Sequence, residues 1–229
     1  MAQRATPCGI SLGVCRMRIT LLTDTGCIEG VADNSFVLGD LVQVQVTPNV
    51  ETGAESTLIG GCGCKIASFK TPDLLNRYDL QVDTPIKSPA LEALLVGGTI
   101  LEDDSTSPVP VGMAFPTTLG CGEEQPPVAI EFWTQHWVND AQDVDLPWIH
   151  WVFPFTLWQY GQQTLQNDFA QPSFVGFTRT NECWGDGPYG DGPEATYGDA
   201  FDISTGGWYY TPDDPPTASC DLSTVTPAS

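Results

Sequence analysis

Ile149-His150-Trp151-Val152-Phe153-Pro154-Phe155-Thr156-Leu157 is the stretch on which the fold turns. Every second residue is large and apolar, and a period of two puts Ile149, Trp151, Phe153, Phe155 and Leu157 on one face of a strand. The same signal recurs outward from it. Val128, Ile130 and Phe132 alternate in a run that continues through Trp133 and Trp137. Val42, Val44 and Val46 alternate with Gln43 and Gln45, and Tyr78, Leu80 and Val82 alternate with Arg77, Asp79, Gln81 and Asp83. Cys15 to Leu22, Leu58 to Phe69 and Phe174 to Thr178 also read as strands. One segment has the helical period instead: Ser88 as N-cap, Pro89 at the first turn, an apolar stripe of Leu91, Leu94 and Leu95, and a Gly97-Gly98 stop. The sum is an all-β chain of about eight to ten strands, of sandwich or barrel type, with one short helix near residues 89–96.

The chain divides at about residue 184. Residues 1–183 carry the periodic patterns. Residues 184–229 are rich in Gly, Pro and Asp, with aromatic anchors at Trp184, Tyr189, Phe201, Trp208, Tyr209 and Tyr210, and read as an extended arm. A second irregular stretch, 102–112, reads as an acidic loop.

Charge restricts the partners. The net charge is −21, from 8 Lys and Arg against 29 Asp and Glu, and only Arg179 among the bases follows Lys87. A chain of this sign does not displace counterions from phosphates, so nucleic-acid binding through basic patches and docking on anionic membranes are both disfavoured. No apolar run reaches the ~20 residues that cross a bilayer as a helix. Met1 to Pro7 lacks the apolar centre of a secretion signal. The eight cysteines are then expected as free thiols of a reducing compartment, with two alternatives open: disulfides, or zinc on Cys62 and Cys64 with Cys8 and Cys15.

Chemistry-bearing patterns are weak. Gly9-Ile10-Ser11-Leu12-Gly13 matches the nucleophile-elbow spacing, but that motif needs a core strand before it and a helix after it, and here a strand follows. His136 and His150 each sit in a Trp-rich strand pattern, which suits packed residues better than catalytic ones. Asp186-Gly187 and Asp191-Gly192 lack the closing Glu of a calcium loop. No catalytic residue, metal ligand or cofactor is expected, and the chain is expected not to be an enzyme. Strong β patterning and abundant aromatic residues suit an assembly subunit.

Several segments together resemble a known family. They are Arg16-Met17-Arg18-Ile19-Thr20 with the turn Asp24-Thr25-Gly26; Gly63-Cys64-Lys65-Ile66 leading to Thr71-Pro72-Asp73; Tyr78-Asp79-Leu80; and the helix Ser88 to Gly98. Further on come Trp151-Val152-Phe153-Pro154, Asn167-Asp168-Phe169 with Gln171-Pro172, Gly176-Phe177-Thr178 and Trp184 to Gly190. The chain thereby resembles the major tail protein, or tail tube protein, of long non-contractile-tailed bacteriophages, especially those of actinobacteria. The resemblance implies a β-sandwich or barrel-like tail tube fold with an extended C-terminal arm. It implies hexameric rings that stack into a hollow tube conducting DNA from capsid to host. It further implies contacts with tape-measure, terminator and tail-tip proteins, assembly in the host cytoplasm and residence in the virion tail. On this reading Asp40, Gln43 and Gln45 are candidates to face the bore, whose side chains are expected to carry almost no Lys or Arg. The alternatives are another virion subunit, decoration or terminator, and a carbohydrate-binding β module.

Overall fold

The computed structural model describes residues 9–39, 41–106, 108–116, 125–163, 171–185, 187, 204–219 and 221–225. Within them the chain runs β1 (Ile10–Leu21), β2 (Ser35–Gly39), β3 (Gln43–Glu51), β4 (Glu55–Ile59), β5 (Lys65–Lys70), β6 (Leu74–Asp83), α1 (Pro89–Val96), β7 (Thr99–Glu102), β8 (Pro110–Ala114), β9 (Val128–Val138), β10 (Ala141–Gln142), β11 (Trp148–Tyr160), β12 (Ser173–Thr178) and β13 (Gly207–Thr211). It is an all-β fold with one short helix, and all its strand pairs are antiparallel.

The main sheet has the order β2-β1-β9-β11-β12-β6-β3, with β10 added to β9 and β13 to β11. Its two terminal strands, β2 and β3, are consecutive in the chain and joined only by residues 40–42. So short a link brings the two ends of the sheet together and obliges it to roll up. Leu41 N–H donates to Val14 O across the seam at 3.3 Å. Val44 and Val46 of β3 then face Val14, Phe132, Trp151 and Phe153 across an apolar cavity of about 290 Å³. The core inside the roll takes Met17, Ile19, Phe36, Leu38, Leu80, Val82, Val128, Ile130, Phe132, Phe153, Trp158 and Phe174, together with Leu91, Leu94 and Leu95 of α1.

α1 has the expected limits. Ser88 stands at its N-cap without a side-chain capping bond, and Gly97 ends it at φ 73°. What pins the helix is Tyr160, whose hydroxyl donates to Glu92 Oε2 at 2.6 Å. Burial, and then this carboxylate, push the Tyr160 phenol far above its ordinary value.

Four expectations need correction. The apolar residues of 149–157 do not share one face. The β9–β11 register skips one residue of β11 between Phe153 and Thr156. Pro154 has no N–H for the ladder, and a bulge there reverses the alternation beyond it. Trp151 and Phe153 therefore enter the core with Trp158, whereas Phe155 packs with Val152, Ala129 and Trp184 on the opposite side of the sheet. Next, 58–69 is not a single strand. Gly63, at φ 76°, closes a turn between β4 and β5. The 102–112 stretch is the tip and both stems of the β7–β8 hairpin, with Asp103 Oδ1 accepting from Val109 N–H at 2.9 Å. Finally, at 207–211 the Gly/Pro/Asp-rich stretch is a strand, β13, paired with β11 of its own chain. Ser219 and Ser223 donate to Val37 O and Ser35 O, covering the outer edge of β2. Tyr189, Phe201 and the segment 167–169 lie outside the described residues.

The cysteines also depart from the free-thiol expectation. Cys27 and Cys183 form a disulfide, and Cys62 and Cys64 are free. Cys62 and Cys64 are exposed at the β4–β5 turn, Cys8 lies outside the described residues, and no cluster of three or more His, Cys, Asp or Glu suited to a metal occurs among the described residues.

Within β12, Gly176 allows a close approach to β11. A Cβ there would stand 2.6 Å from the Trp158 ring and 2.8 Å from Leu157 O. Gly176→Ala is expected to destabilise the protein by about 1–3 kcal/mol through overpacking, measured as a lower urea midpoint at unchanged slope.

Candidate functional site

The outward face of β3, β6, β12 and the second half of β11 is the most distinctive surface. Strand alternation builds it. Val44, Val46, Leu80, Val82, Phe174 and Trp158 point into the core, so their neighbours point out. Register then aligns the outward groups in rows: Gln45 beside Gln81, Gln81 beside Val175 and Val175 beside Gln159; likewise Thr47, Asp79, Phe177 and Leu157. These residues line an open groove of about 410 Å³ with Arg77 and Gln125. Gln43 and Gln45, read from sequence as one polar strand face, stand exposed on it; Asp40 lies outside the described residues.

Its electrostatics are nearly closed within the face. Asp79 accepts from Asn49 Nδ2 at 2.9 Å and from Arg77 Nε at 2.8 Å. The Asn49 bond first, and Arg77 after it, hold the Asp79 carboxyl below its ordinary range. Gln81 Nε2 reaches Asp83 Oδ1 at 3.3 Å. Arg77 is thus neutralised where it stands, while Arg179 lies at the end of the face over the same Phe177 ring.

Among the described residues, neither border of the face has a strand partner. Among the described residues no strand pairs with the outer edge of β3. On the side of β11 that faces β9, pairing stops at Thr156, opposite Val128, so Leu157 to Tyr160 have no strand partner there among the described residues. Pro48 within β3 fits an edge strand, where a missing N–H costs least. Among the described residues, the long uncovered edge of β3 contrasts with that of β2, which Ser219 and Ser223 cover.

The outward side of β1, β9 and the first half of β11 holds the buried charges. Arg18 of β1 and Glu131 of β9 face each other across the ladder. Arg18 Nη2 donates to Glu131 Oε1 at 2.8 Å and Arg18 Nε to Oε2 at 2.5 Å. His150 Nε2 lies 3.0 Å from Oε1, and His150 Nδ1 lies 2.5 Å from the hydroxyl of Tyr209 on β13. Trp133 stacks on His150 with ring centroids 4.2 Å apart. Burial alone would raise the Glu131 carboxyl, but Arg18 and His150 outweigh it and hold it at about 2. The pattern that could have disclosed this pair is a charge flanked by buried apolar residues on each strand: Met17-Arg18-Ile19 and Ile130-Glu131-Phe132.

The weaker sequence candidates are placed plainly. Ser11 Oγ donates to Thr134 Oγ1 at 2.8 Å, on β1 rather than on a strand-to-helix elbow. His136 is fully buried, with Nδ1 2.9 Å from Leu146 O and its ring against Tyr210. His150 belongs to the buried ion cluster. The structure therefore brings Gln43 and Gln45 together on one surface and leaves Ser11, His136 and His150 in separate hydrogen-bonding roles. No family model and no curated protein matches this chain.

Proposed function

We propose that the chain is the structural subunit of a phage tail tube, in which copies join into rings and the rings stack into a conduit for DNA. The observation that carries this reading is the polar four-stranded face with two bare edges. A sheet whose borders lack partners is completed by a neighbour, and closure of copies into a ring removes every free edge. Cyclic head-to-tail contacts do this without a special end unit. The face suits the wall of a bore. Glutamine, threonine and paired aspartate hold water; of the two bases over Phe177, Arg77 is bonded to Asp79 within the face and Arg179 stands at its rim. With each copy at −21, the field of such a ring opposes close contact with DNA, over the ~8 Å range of screening at physiological salt. The sequence resemblance points the same way.

The test is assembly. Purified chain at raised concentration is expected to form hollow rods in negative stain. Backbone amides of Gln43–Glu51 are expected to exchange at least about tenfold more slowly in rods than in free subunits, as a bare edge becomes a paired one. Rods in which β3 exchanges as fast as in the monomer would remove the argument from the edge. Material that stays monomeric at all concentrations would remove the reading.

A further inference from the structure

Arg77 and Arg179 come together at one end of the polar face, where β6 leaves the β4–β5 hairpin and β12 ends. Their guanidinium carbons lie 4.7 and 5.5 Å from the centre of the same ring, that of Phe177. The two strands are tied there by Tyr78 N–H donating to Thr178 Oγ1 at 3.0 Å. Like charges on neighbouring strands repel, so their convergence needs compensation. Asp79 supplies it for Arg77 and not for Arg179. Among the other described bases, Lys65 on the β4–β5 hairpin likewise forms no ion pair. Arg18, Lys70 and Lys87 have partners in Glu131, Asp73 and Glu92. Arg179, exposed at the rim, forms no ion pair among the described residues, in a chain where 29 acids compete for 8 bases.

We propose that Arg179, set beside Arg77 on the ring of Phe177, anchors a carboxylate of a second copy of this chain. The inference rests on the tube reading and names a contact between copies within it. Charge complementarity selects the occupant. A body at −21 presents carboxylates on nearly every surface, so association between copies needs cationic points that no internal partner has consumed. A guanidinium over an aromatic ring still offers paired N–H donors that a carboxylate accepts bidentately. The site is at the hairpin end of the face, and the charged group on the face at its other end is Asp83. Copies set end to end along the strands therefore bring a basic rim to an acidic one.

The experiment compares wild type, Arg179→Glu and Arg179→Lys full-length chains by sedimentation and negative stain at low and high salt, with a labelled DNA duplex as second probe. Thermal unfolding verifies that each variant is folded. The expected result is a critical concentration for rods raised at least about tenfold in Arg179→Glu, an intermediate value in Arg179→Lys, and weakening of wild-type rods by salt. Rods from Arg179→Glu at the wild-type concentration would overturn the anchor and leave the tube reading standing. The same result together with duplex binding by wild type that Arg179→Glu lacks would assign the site to phosphate instead. Absence of rods from wild type would overturn both.

Discussion

Glu131→Ala is expected to destabilise the protein by about 3–5 kcal/mol, the usual cost of leaving one member of a buried ion pair without its partner. Arg18 is 1 % exposed and Glu131 2 % exposed, so water cannot replace the lost carboxylate. The loss extends beyond one bond, because Glu131 also holds His150, and His150 meets Tyr209 of β13. The variant is therefore expected to loosen β13 as well, visible as faster amide exchange at Gly207–Thr211. Arg18→Met with Glu131→Leu serves as the control. Removing both charges together leaves none uncompensated, and the double variant is expected to recover most of the loss. A single variant as stable as wild type would mean that the pair contributes little.

The same carboxylate sets an acid limit. Its folded value of about 2 lies below the ordinary 4.5, so the unfolded chain binds its proton first as pH falls. Its contribution is complete above about 4.5 and disappears as pH drops toward 2. Wild type is expected to lose stability through that window by more than Glu131→Ala does, as followed by denaturant midpoints at a series of pH values.

The second large effect belongs to the disulfide. Cys27 and Cys183 are 156 residues apart. By the chain-entropy argument, opening so long a loop costs roughly 5 kcal/mol at 25 °C, and losses of about 2–5 kcal/mol are typical when a native bridge is removed. The bridge does not act alone. Asn181 Nδ2 donates to Gly26 O and to Pro154 O, both at 2.8 Å, so the turn before Cys27, the segment before Cys183 and the β11 bulge meet at one point. Trp184 follows into a small core with Leu22 and Ile28. Cys27→Ser with Cys183→Ser is expected to lower the unfolding midpoint to that of reduced wild type. Equal midpoints with and without reductant would show that the bridge does not govern stability.

What the sequence disclosed followed from residue periods, and what it concealed followed from pairings distant in the chain. Strands with alternating faces, such as Val42 to Val46 and Tyr78 to Val82, were legible because the side-chain period is local, and so was α1 with its Pro89 start and Gly97 stop. The polarity of Gln43 and Gln45 was legible for the same reason. The reversal at Pro154 was not, because alternation among apolar residues on both sides of a bulge looks unbroken. The bare edges were hidden because neighbours in the sheet are settled by β1 meeting β9 and β3 meeting β6. Arg179 was visible as an isolated base, but its meeting with Arg77 on Phe177 required β12 to lie beside β6.

The pairing of β1 with β9 has a consequence for biosynthesis. Ile10 lies opposite Trp137 and Leu21 opposite Val128, so β1 lacks its central partner until translation has passed β9. At about 5–20 residues per second that interval lasts several seconds or longer. A hairpin of β1 with β2 is at best marginal by itself in water. During that time the emerging chain must keep Met17, Ile19, Phe36 and Leu38 from other nascent polypeptides, and synonymous codons that slow translation between residues 40 and 128 are expected to lengthen that exposure.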